Sequence, residues 1–134
     1  MVNLTINGEK LTVAENSTVL EAAQQAGIHI PTMCSHKDLS PYGACRLCVV
    51  DVNRNGRSVV TTSCNTPVEE GMIVTTETEE VNATRKTMAE LLYSRCPEVP
   101  AVQRMAASVG LDQPVFTNEN PKEDCILCGM CVRA

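Results

Sequence analysis

Four cysteines set the strongest constraint on this chain. Cys34, Cys45, Cys48 and Cys64 follow the spacing C-x10-C-x2-C-x15-C. The first two lie in a stretch, residues 31–47, that also holds Pro31, Pro41 and Gly43 and reads as a long loop. Loops of that length are uncommon in a small domain unless they carry function. Thiolates are soft ligands, suited to iron–sulfur chemistry or zinc. Cys45 and Cys48 can reach one metal from a tight turn. Cys34 shares their loop, and Cys64 arrives from a neighbouring strand end. The composition points the same way. Eight cysteines accompany two tyrosines, one phenylalanine and no tryptophan in 134 residues. A small domain short of large core side chains commonly leans on metals or disulfides. The N-terminus, MVNLTINGEK, has no basic stretch leading into an apolar run, so it is not read as a secretory signal. The expected location is the cytoplasm, where thiols stay reduced, and metal ligation is expected over disulfides.

Structural zinc usually takes its thiolates as two close pairs. Here one pair is flanked by two single cysteines. That pattern is similar to 2Fe–2S ferredoxin domains, in which three ligands share a loop and the fourth comes later. Ser35, Gly43, Ala44 and Arg46 are small or turn-forming positions expected to let backbone N–H groups face sulfur. Such hydrogen bonds favour the reduced cluster. His36 lies two residues after Cys34, and Rieske centres use histidine. Four cysteines already complete the site, so His36 and His29 are read as ordinary residues.

The ten-residue gap between Cys34 and Cys45 narrows the resemblance. PTMCSHKDLSPYGACRLCVVDV and TTSCNTPVEEGM resemble the N-terminal ferredoxin domain of one group of proteins. The group comprises the large iron–sulfur subunit of respiratory complex I and the related subunits of iron-only and bidirectional hydrogenases and NAD-linked formate dehydrogenases. The resemblance covers residues 1–78. It implies a β-grasp fold with a 2Fe–2S cluster on Cys34, Cys45, Cys48 and Cys64.

The local patterns reach a compatible fold independently. Residues 2–6 and 9–13 read as strands around Asn7-Gly8, a strong hairpin signal. Thr18 and Glu21 form a capping box that opens a short helix ending at Gly27. Residues 48–52 and 59–62 flank a second hairpin turn at Asn55-Gly56, and residues 72–76 supply a last strand. The order β-β-α-loop-β-β-β predicts an α+β domain over residues 1–78.

From Glu79 the period becomes helical. Val81, Thr84, Met88, Leu91 and Leu92 recur at three- and four-residue spacing up to about Ser94. Cys96-Pro97 breaks the pattern. A second helix is expected over 101–109, with Val102, Met105, Ala106 and Val109 on one face and Gly110 as its stop. Residues 79–111 therefore form a helical extension. Residues 112–134 read as a polar linker and a C-terminal cysteine segment.

That segment carries Cys125, Cys128 and Cys131 as C-x2-C-x2-C, the opening of a 4Fe–4S run. The next cysteine of such a run would fall just beyond Ala134. Three sources of a fourth ligand stay open: a longer chain, Cys96, or a partner subunit. A metal-free tail also stays open, as does Cys96 as a buried small hydrophobe. LLYSRCPEVPAVQRMA followed by DCILCGMCVRA resembles iron–sulfur subunits of formate dehydrogenases and hydrogenases. Complex I itself places one histidine with three cysteines in this region, and no histidine follows His36. The mixed-ligand cluster is thus not expected here.

The formal charge of −5 argues against nucleic acid, and no apolar run is long enough to span a membrane. There is no G-x-G-x-x-G or P-loop, so flavin or nicotinamide is expected on a partner. No catalytic site of its own is expected. The reading is an electron-transfer subunit joining a flavin- or NAD(P)H-linked partner to a catalytic subunit such as a hydrogenase or formate dehydrogenase. The alternatives are a free soluble ferredoxin and a zinc-stabilised interaction module.

Overall fold

A computed structural model describes residues 1–134. Two strands open the chain, β1 (Val2–Ile6) and β2 (Glu9–Val13), and a short helix, α1 (Val19–Gln25), follows. After a long loop come β3 (Val49–Arg54), β4 (Arg57–Thr62) and β5 (Ile73–Thr75). Three helices close the chain: α2 (Glu79–Arg95), α3 (Pro100–Ser108) and the single turn α4 (Met130–Arg133).

The five strands form one mixed sheet in the order β2-β1-β5-β3-β4. The central pairing of β1 with β5 is parallel, and the other pairings are antiparallel. With α1 packed on it, this is the α+β arrangement expected from the local patterns and consistent with the β-grasp fold that the resemblance implies. Both hairpins turn where Asn-Gly predicted. Asn7 and Gly8 sit at φ 52° and 85°, and Asn55 and Gly56 at 54° and 84°. Such two-residue turns match the twist of the strands they join.

Alternation in β1 buries Val2, Leu4 and Ile6, while Asn3 faces water. Val50 and Val52 of β3, Val74 of β5 and Val19, Leu20, Ala22 and Ala23 of α1 complete this core. The helix starts where expected. Thr18 Oγ1 accepts from Glu21 N at 3.2 Å, and Glu21 Oε2 accepts from Thr18 N at 2.7 Å. Ile6 is fully buried. Ile6→Ala is therefore expected to cost about 2–5 kcal/mol, read from urea unfolding at unchanged m-value.

A second apolar cluster lies outside the sheet. It joins Cys34, Cys45 and Leu47 of the long loop to Ala89, Cys96, Val102 and Met105 of the helical part. The extension thus packs directly on the loop that carries the first cysteine set. α3 buries Val102, Met105 and Ala106, as its period predicted.

The buried face of α2 differs from the expected stripe. It runs through Val81, Arg85, Ala89 and Ser94, while Leu91 is exposed. Val81 is buried as expected, and Met88 and Leu92 pack at the edge of the second cluster. Arg85 also goes inside, because three backbone carbonyls receive it. α4 has no counterpart among the expected elements.

Candidate metal centre

The β3–β4 hairpin builds one half of the centre. Its last register pair is Val49 with Thr62, so Cys48 and Ser63 lie side by side just past the strand ends. Ser63 N and Ser63 Oγ both donate to Cys48 O, at 3.1 and 2.7 Å. Thr66 Oγ1 donates to Thr62 O at 2.7 Å, and Thr62 bonds Asn65. Leu20 N, in the first turn of α1, donates to Ser63 O at 3.0 Å. The segment carrying Cys64 is thereby pinned to both hairpin and helix, and the Cys64 thiol meets that of Cys48. Their proximity lowers the pKa of the Cys48 thiol against the opposing effect of burial, and it raises that of Cys64.

The long loop builds the other half. Cys45 N donates to Cys34 Sγ and Met33 N to Cys45 Sγ, each at 3.5 Å. Burial pushes the Cys45 thiol up. Arg46 turns the backbone at φ 55°, between Cys45 and Leu47. Gly43 adopts φ 75°, and a Cβ there would lie 3.0 Å from Asn65 Nδ2, so glycine lets the loop close on the Cys64 segment. The N–H groups that donate to Cys34 and Cys45 sulfur are those of Met33 and Cys45. No N–H of Ser35, Gly43, Ala44 or Arg46, the expected donors, donates to a cysteine sulfur.

All four thiols are buried; none exceeds 6% exposure. They are gathered two by two, Cys34 with Cys45 and Cys48 with Cys64. A tetrahedral zinc needs four donors about one centre. A 2Fe–2S cluster divides its four thiolates between two irons. The donor set, its pairing and its N–H···S bonds fit the binuclear cluster. His36 stands apart at the surface, where its Nδ1 accepts from Asp38 N at 3.2 Å.

The second cysteine set is laid out differently. Cys125 and Cys131 are exposed and Cys128 is half-buried. Cys96, at the C-terminal cap of α2, is fully buried, and its Sγ lies 3.4 Å from Cys125 O. Desolvation raises its thiol pKa. Arg95 Nε also donates to Cys125 O, at 2.7 Å. Arg133 ties the tail to the first site: its guanidinium donates to Cys34 O and Ser40 O, each at 2.5 Å, and sits 5.0 Å over the Tyr42 ring.

Three residues of this architecture escaped the sequence reading. Ser63 carries only the faint signal of a hydroxyl beside a cysteine. Arg85 breaks an apolar seam four residues from both Val81 and Ala89, which is a usable signal. Arg133 has none, since its partners are backbone carbonyls distant in sequence.

Residues 1–79 match the family described as "2Fe-2S iron-sulfur cluster binding domain". The chain belongs to that family. Its relatives fall in the group that the cysteine spacing resembles. One is the NADPH-Fe(3+) oxidoreductase subunit alpha of Geobacter sulfurreducens, 36% identical over 99% of this chain and 18% of its own length. Another is the mitochondrial NADH-ubiquinone oxidoreductase 78 kDa subunit of Candida albicans, 36% identical over 72% of this chain and 13% of the relative. Among solved structures, a chain of an NAD+-reducing NiFe-hydrogenase superposes with a TM-score of 0.84 at 31% identity. That match covers 99% of this chain and 65% of the hydrogenase chain. This member of the 2Fe–2S family thus spans less than a fifth of the curated relatives' length. No helix in it is long and apolar enough to cross a membrane.

Proposed function

We propose that Cys34, Cys45, Cys48 and Cys64 hold one 2Fe–2S cluster and that the chain is an electron-transfer part of a multi-subunit oxidoreductase in the cytoplasm. The observation that carries this is the arrangement of four buried thiols in two pairs. Cys34 and Cys45 serve one iron, and Cys48 and Cys64 the other. When bound, the cluster supplies one-electron chemistry, near about −400 mV in plant-type centres. The protein's part is to exclude water from the thiolates, to fix their spacing through Ser63 and the hairpin, and to aim the Met33 and Cys45 N–H groups at sulfur. Such donors lighten the negative charge on sulfur and so favour reduction.

The exchange partners are a flavin-bearing or catalytic subunit, since residues for hydride or substrate chemistry are missing from the centre. Residues 79–111 support the subunit reading over a free ferredoxin, because α2 and α3 pack on the cluster loop and lead the chain onward from it. Cys125, Cys128 and Cys131 are read as three ligands of a second, 4Fe–4S station, which the Arg133 contacts hold beside the first.

Metal and sulfide analysis tests the centre. Iron and acid-labile sulfide in equal amounts are expected. Zinc without either would end the proposal and leave a zinc-stabilised module. Isolation from native cells tests the subunit role. Co-migration with larger redox subunits is expected, and a chain always running alone at its monomer mass would defeat that role.

A further inference from the structure

Arg85 is a buried cation that forms no ion pair. It is 6% exposed. Its Nε donates to Leu47 O at 2.8 Å, and its Nη2 donates to Val49 O at 2.7 Å and Thr76 O at 3.3 Å. The chain's ion pairs join the N-terminus to Glu15 and Arg54 to Glu69; neither includes Arg85. Glu77 lines the same cleft with Lys86 and its charge acts on Arg85, but Glu77 is exposed and makes no contact with the guanidinium. Carbonyls satisfy the guanidinium's hydrogen bonds but leave its net charge in place. A buried charge in that condition is costly unless an opposite charge accompanies it.

The positions of its acceptors show where that opposite charge belongs. Leu47 and Val49 flank Cys48, so the guanidinium spans the backbone on both sides of a cluster ligand. A four-thiolate 2Fe–2S centre is anionic and gains one more negative charge on reduction. We infer that Arg85 is the charge partner of the cluster, a cation supplied by the helical extension that stabilises the reduced state. Two effects act together. The positive charge favours the added electron directly. The guanidinium also binds the Leu47 and Val49 carbonyl oxygens and so fixes the backbone on both sides of Cys48. Arg85 touches no ligand side chain; the backbone around Cys48 holds it, and its charge acts from there. The extension then sets the potential of a centre whose ligands all lie outside it.

The inference rests on the 2Fe–2S reading, and the experiment separates the two. The full chain is prepared with iron and sulfide, and the midpoint potential is read by EPR-monitored titration for wild type, Arg85→Met, Arg85→Lys and Lys86→Met. Absence of iron and sulfide from wild type would fail the cluster reading. With a cluster present, Arg85→Met is expected to shift the potential to more negative values while keeping the wild-type g-values. Arg85→Lys keeps the charge but loses the planar fork, and it is expected to recover part of the shift. Lys86→Met removes an exposed charge one residue away and is expected to leave the potential in place. A loaded Arg85→Met with the wild-type potential would overturn the inference. So would loss of the cluster from both Arg85 variants, which would make the residue a structural clamp alone.

Discussion

Cys48→Ser is expected to abolish the native 2Fe–2S EPR and visible signature. Three features make this position the most sensitive of the four. The side chain is fully buried, so no outside ligand can replace it. Its backbone carbonyl takes both donors of Ser63, so the loop has little freedom to bring another group in. The backbone on either side of it, at Leu47 and Val49, is held by Arg85, so neither neighbour can shift to compensate. Serine offers a harder oxygen ligand that iron–sulfur sites select against. An unchanged spectrum would exclude Cys48 as a ligand. His36→Ala, at the exposed position beside Asp38, is the matching control and is expected to leave the signature intact.

Cys125→Ser is expected to remove the 4Fe–4S signal entirely and to leave the 2Fe–2S signal in place. The two cysteine sets stand on different elements, and the tail meets the first site through Arg133 and not through shared thiols. Loss of both signals together would show that the sets form one interdependent site. Cys96→Ala decides the fourth ligand. Loss of the 4Fe–4S signal in that variant would assign the position to Cys96, which already touches Cys125 O. Retention would place the fourth ligand elsewhere and leave Cys96 as a buried side chain that packs at the end of α2.

Much of the ferredoxin part was legible because its signals are local. Asn7-Gly8 and Asn55-Gly56 need positive φ and turn where they stand. Thr18 and Glu21 mark a helix start across three residues. Cysteine spacing carries a ligand pattern irrespective of tertiary detail. The helical extension was legible only in outline. Apolar period placed α2 and α3, but the buried face of α2 includes Arg85, whose acceptors are 36 and 38 residues upstream. No window of sequence contains that pairing. The same holds for Met33 N as a sulfur donor, which depends on the path of the whole loop. Arg133 reaches Cys34 O across 99 residues, and only the folded chain brings them together.

The second apolar cluster, in which Cys34 and Cys45 share packing with Ala89, Cys96, Val102 and Met105, has a consequence in time. Synthesis runs from the N-terminus, and domains fold as they emerge. All four ligands, ending at Cys64, leave the ribosome before the first residue of α2. The thiols are therefore complete while the surface that later seals them does not yet exist. The loop is open to solvent during that interval, and the helices cover it only afterwards.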